Sequence, residues 1–226
     1  MEKEAFSNAY WSDVDHVLRE LFSRVADNLN IIYTELKSID YLFKTEVKYN
    51  FERPFHKPLS ETNVLLDKLD KAVEPFGFVP LSLKYFYNIV GGVNFVWDYD
   101  TNENFIWQLA DPIQIASLDA VVDTVTGKYW REEMQEIVDE GEIPYLELSA
   151  DDLHKDNISG GPPYSLEIKR HPSFDSLFLN EPNNTTFINY LRICIDNCGF
   201  PSIHRPDCDN DYQAFFDKIK PLLKQF

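Results

Sequence analysis

The sequence predicts an α+β fold with a long amino-terminal amphipathic helix, and three observations carry that prediction. Residues 80–97, PLSLKYFYNIVGGVNFVW, change period within one segment. Leu83, Phe86, Tyr87 and Val90 recur at i, i+3, i+4 and i+7, Gly91 and Gly92 permit a left-handed exit, and Val93, Phe95 and Trp97 then alternate as in a strand. Residues 12–39 place Val14, Val17, Leu18, Leu21, Phe22, Val25, Leu29, Ile32, Leu36 and Ile39 at threes and fours. That stripe is broad, which suits packing on a globular body rather than a coiled-coil seam. Finally, a chain of 226 residues with 44% hydrophobic and 15% aromatic side chains can bury a full core.

Taken in order, the first helix should start near Ser12 and run past Tyr33. Residues 48–60 contain Pro54 and Pro58 with no period and read as a surface loop. Ser60 or Thr62 then caps a short helix with Val64, Leu65, Leu69 and Val73 inward, ending at Pro75 and Gly77, and Ser82 is the expected N-cap of the helix in the 80–97 segment. After Trp97 the turn cluster DYDTNEN, followed by alternating Phe105, Trp107 and Leu109, predicts a β-hairpin. Ile113 and Ile115 read as a third strand. Ser117 caps a helix with Leu118, Val121, Val122 and Val125 inward. A second helix over 130–139 turns Trp130, Met134, Ile137 and Val138 inward and Glu132, Glu133, Glu136 and Asp139 outward, and Gly141 closes it. A strand at 145–148 leads to a one- or two-turn helix capped by Ser149, and ISGGPP is a tight corner into a strand at 164–168. The last strand is expected at 177–179. Phe187, Tyr190, Leu191, Cys194 and Ile195 form a helix face ended by Gly199 and Pro201. A final helix carries Tyr212, Phe215, Phe216, Ile219 and Leu223, interrupted at Pro221. The organisation expected is a single domain, with residues 1–59 as a helical extension packed on a 60–226 core.

The formal charge of −17 is unevenly placed: residues 98–156 carry 16 acidic and 3 basic side chains. Such a surface repels phosphate, so nucleic acid and anionic lipid are not expected partners, and a localised acidic field steers basic proteins. The same field also serves solubility. No apolar stretch approaches the roughly 20 residues of a membrane helix, and a cytoplasmic location is expected. Two segments are the expected docking sites because they sit beside turns, where charges should be solvated: the hairpin tip with Asp98, Tyr99, Asp100 and Glu103, and the short helix with Asp151, Asp152 and Asp156.

The residues that could carry catalytic or metal chemistry have simpler structural roles. Cys194, Cys198, His204 and Cys208 form a permissible zinc set by type, but Cys194 and Cys198 are four apart on a helix whose other inward residues are core, so no metal and no cofactor is expected. Asp151, Asp152 and His154 beside Ser159, Gly160 and Gly161 put a carboxylate, an imidazole and a hydroxyl within eleven positions. No nucleophile elbow, zinc-protease, phosphate-loop or dinucleotide pattern accompanies them. Trp97, Trp107 and Trp130 read as core or half-buried sheet residues.

Three stretches together, residues 80–97, LSADDLHKDNISGGPPYSLEI at 148–168 and INYLRICIDNCGFPSI at 188–203, resemble the SUKH superfamily, which is related to cell-wall-synthesis regulators of yeast and has many bacterial members. The resemblance covers about residues 60–205. It implies a mixed, mostly antiparallel sheet wrapped by helices, no catalytic residues, and service as an immunity protein that neutralises a toxin, often a nuclease. Nuclease toxins are basic because they bind phosphate, so this implication agrees with the separately obtained charge map. The competing expectations are a housekeeping adaptor or regulatory protein, and a small hydrolase using His154.

Overall fold

The computed structural model describes residues 10–45, 53–98, 107–204 and 212–225, and its architecture is α+β. In chain order the elements are α1 (Trp11–Ser38), β1 (Phe55–His56), α2 (Thr62–Val73), α3 (Leu81–Ile89), β2 (Gly92–Asn94), β3 (Gln114–Ile115), α4 (Leu118–Val125), α5 (Lys128–Asp139), β4 (Tyr145–Ser149), α6 (Asp152–Lys155), β5 (Tyr164–Glu167), β6 (Phe178–Leu179), α7 (Phe187–Asp196) and α8 (Gln213–Ile219). The last α-helix passes into a 3-10 turn, Lys220–Leu222, just where Pro221 withdraws its amide donor. Among the described residues no helix is long and apolar enough to cross a membrane.

The strands form two three-stranded sheets, ordered β1-β2-β3 and β4-β5-β6, in which every pairing is antiparallel. The two meet where the Ala116 amide, just past β3, donates to the Leu148 carbonyl of β4 at 2.8 Å. Val93 pairs with Phe55 on one side and Ile115 on the other, so β2 is the centre of its sheet. The corner into it needs Gly91: its φ is +101°, and a Cβ there would collide with the His56 carbonyl oxygen.

One contiguous buried cluster runs from Leu18 on α1 to Ile219 on α8. Helix α1 contributes Leu18, Phe22, Val25, Leu29, Ile32 and Leu36 and packs against α3, α7 and α8. Within its buried stripe sits a polar residue, Asn28. Its amide donates to the Lys224 carbonyl at 2.8 Å and accepts from the Lys224 amide at 2.7 Å, so the side chain stands in for a strand partner and ties the end of the chain to the first helix. Trp107 is the hub of an aromatic cluster with Tyr41, Phe200, Tyr212 and Phe215, at centroid distances of 5.0–6.0 Å.

The structure departs from the sequence expectations at several points. Residues 55–56, expected in a loop, supply β1, because β2 offers a partner from a distant part of the chain. Helix α3 starts at Leu81 with Pro80 as N-cap and needs no capping side chain, since the Leu81 and Ser82 amides donate to the carbonyls of Ser173 and Phe174. Ser82 is instead buried, its hydroxyl donating to Asp175 Oδ1 at 2.9 Å, while Asp175 Oδ2 accepts from the Ile188 amide at the start of α7. One carboxylate thereby serves two helix N-termini. Val64 is exposed, as it lies about 200° around α2 from the buried Leu66. The 93–97 segment does not pair with 107–109: β2 pairs with β3, Trp97 bridges Phe43, and positive φ at Leu109 and Asp111 breaks any strand there. The tip of that expected hairpin lies outside the described residues.

Candidate functional site

The docking residues expected from the sequence divide into three groups. Tyr99, Asp100 and Glu103 lie outside the described residues. Asp98, Asp151 and Asp156 are described and buried, which corrects the expectation that their charges are solvated and dispensable to the core. Asp152 is half-buried.

Each buried carboxylate has a structural reason for its position. Asp98 follows Trp97, which bridges Phe43, and its amide donates to the Leu42 carbonyl at 2.9 Å, drawing the residue inside. Asp151, not Ser149, is the N-cap of α6: Oδ1 accepts from the amides of Leu153 and His154, and Oδ2 pairs with His154 Nδ1. Burial works against its charge, but these hydrogen bonds from His154 and Leu153 hold the carboxyl below its ordinary value. The ISGGPP corner closes directly over it, and a Cβ on Gly160 would collide with Asp151 Oδ1. Asp156, the C-cap of α6, accepts the Leu109 amide.

Beside it lies an ion pair the sequence reading did not anticipate. Lys155 and Asp111 both have side chains at 0% exposure, with Nζ 2.5 Å from Oδ1. Tyr164 donates its hydroxyl to Asp111 Oδ2 at 3.2 Å, and the ammonium rests 4.5 Å from the centroid of the same ring. Burial pushes the Asp111 carboxyl up against the pull of Lys155.

Among the described residues of 107–156, the acids that face solvent are Asp119 and Asp123 on α4, Glu132, Glu133, Glu136 and Asp139 on α5, Glu140 and Glu142 just after it, and Glu147 on β4. The outward set expected on α5 is therefore in place, and the exposed part of the acidic field lies on α4, α5 and β4. Only Lys128 and Arg131 among the described residues of 107–156 are exposed cations, and Lys128 reaches Glu132 at 3.3 Å. Tyr129 is 87% exposed at the start of α5 and Ile143 is exposed beyond its end. The outward-facing period of α5 is the sequence signal that marks this exposed acidic surface.

Cys194 and Cys198 are buried free thiols, and burial raises both, Cys198 to about 11, so neither is a thiolate near neutral pH. Cys208 lies outside the described residues, and His204 packs its ring on Phe216. Among the described residues no group of three His, Cys, Asp or Glu is arranged to hold a metal. We expect elemental analysis of purified protein to find no stoichiometric zinc, and thiol titration of the unfolded chain to count three free cysteines. One zinc per chain would overturn this.

No protein-family model, curated protein or solved structure matches the chain.

Proposed function

We propose that this chain is a non-enzymatic binding protein, an immunity protein that neutralises a basic toxin of nuclease type through the acidic face of α4, α5 and β4. The observation that carries the reading is where those acids sit. Glu136, Asp139 and Glu140 crowd the carboxyl end of α5, with no basic residue in its last turn. A helix dipole disfavours negative charge there by about 0.3–1 kcal/mol each, so stability does not account for the placement. A surface that attracts cationic partners does.

The test uses the product of the reading frame adjoining this gene. Expressed alone in a bacterial host it should arrest growth, and co-expression of this chain should restore it. Converting Glu132, Glu136, Asp139 and Glu140 to Lys should abolish the rescue and slow association at least tenfold, while the melting temperature holds or rises, because exposed charges contribute little and Lys suits a helix carboxyl end. Added salt should slow the wild-type association in the same way. Rescue that survives all four reversals, with association insensitive to salt, would overturn the assignment of this face. Absence of growth arrest would favour the adaptor reading, and loss of rescue in His154→Ala the enzymatic one.

A further inference from the structure

Beneath α6 two buried carboxylates, Asp111 and Asp156, lie within the field of one ammonium, Lys155. Lys155 is committed to Asp111, whose second oxygen takes the Tyr164 hydroxyl. Asp156 has the Leu109 amide at Oδ2, and its Oδ1 is buried with no donor among the described residues. The charged groups that face it are Asp111 from the 107–111 turn and Asp152 and Lys155 from α6. Tyr164 comes from β5 with its hydroxyl turned to Asp111. The turn itself is held in unfavourable backbone, with φ of 62° at Leu109 and 57° at Asp111. Such conformations persist only while surrounding contacts enforce them.

We propose that Asp156 is a proton-operated latch: while its carboxyl is neutral the 107–111 turn stays docked on α6, and loss of the proton, which leaves two buried carboxylates against one ammonium, releases the turn. Burial pushes the Asp156 carboxyl up to about 7, opposed by the Leu109 amide, reinforced by Asp111 and Asp152, and opposed again by Lys155. The sign follows from linkage. A carboxyl whose value is raised by folding contributes stability that is complete below its ordinary value of 3.8 and is lost as pH rises through about 7. Between those limits the docking equilibrium weakens by up to about tenfold per pH unit. The turn begins at Trp107, so its release also loosens the aromatic cluster that holds α8.

Amide hydrogen exchange on the full chain from pH 5.5 to 8.5, corrected for intrinsic rates, tests this. Protection at Leu109 should fall at least threefold between pH 6 and 8, while protection at Leu29 on α1 holds. In Asp156→Asn, whose amide mimics the neutral carboxyl and still accepts from Leu109, protection at Leu109 should stay flat. A flat wild-type profile, a fall shared equally by Leu29, or a parallel fall in Asp156→Asn would overturn the latch. If the variant does not fold, the wild-type comparison of Leu109 with Leu29 decides alone.

Discussion

Deleting residues 1–45 should leave a chain that aggregates or fails to fold, the largest effect expected from any single change described here. The deletion removes six apolar side chains of α1 that are at most 6% exposed, together with Tyr41 and Phe43, which are buried beside them. Covering each large apolar side chain contributes about 1.5–3 kcal/mol. Eight of them together exceed or consume the whole stability of a typical domain, about 5–15 kcal/mol. The face left behind on α3 and α7 includes Phe86 and Phe187, in edge-to-face contact at 5.6 Å, and Phe86 loses its ring contact with Phe22. Size-exclusion chromatography and thermal melting of the truncated chain provide the check. A monomer that melts as sharply and as high as the full protein would show α1 to be dispensable.

Lys155→Met should lower the unfolding free energy by about 3–5 kcal/mol, because it strands the Asp111 carboxylate inside the protein with only the Tyr164 hydroxyl for company. The paired change Lys155→Met with Asp111→Leu should recover most of that loss, since apolar side chains of similar volume avoid the desolvation of both charges. Urea unfolding of wild type, single variant and double variant forms the comparison. If the single change costs under about 1 kcal/mol, Asp111 takes up a proton at little penalty and the ion pair is not what holds α6 to the 107–111 turn.

Helices α1, α3, α4, α5 and α7 were legible because each is half covered, and half coverage leaves a period in the sequence. β1 was not: two residues long, it exists only because β2 pairs with it from a distant part of the chain in the register Phe55 to Val93 and His56 to Gly92. The N-cap of α6 was expected at Ser149 and is Asp151: both are capping types two positions apart, and only the observed turn shows which carboxylate or hydroxyl meets the free amides. The expected solvation of Asp98, Asp151 and Asp156 failed for a physical reason. Charge beside a turn reads as solvated, yet Asp98, Asp151 and Asp156 are drawn inside by neighbours that satisfy or anchor the backbone around them. Nothing local in the sequence pairs Asp111 with Lys155, 44 positions apart. The acidic outward face of α5 was legible from its helical period.

The hydrogen bonds between Asn28 and Lys224 span 196 positions of chain, and α1 packs on α7 and α8, which come late among the described elements. During synthesis at about 5–20 residues per second, the apolar stripe of α1 leaves the ribosome roughly 10–40 seconds before its last partners do. During that interval α1 has α3 to pack on but lacks α7 and α8, so part of its apolar stripe stays uncovered. Closure of the core has to wait until α8 has emerged, and a binder of exposed hydrophobic helices acting in that interval should raise the yield of folded protein.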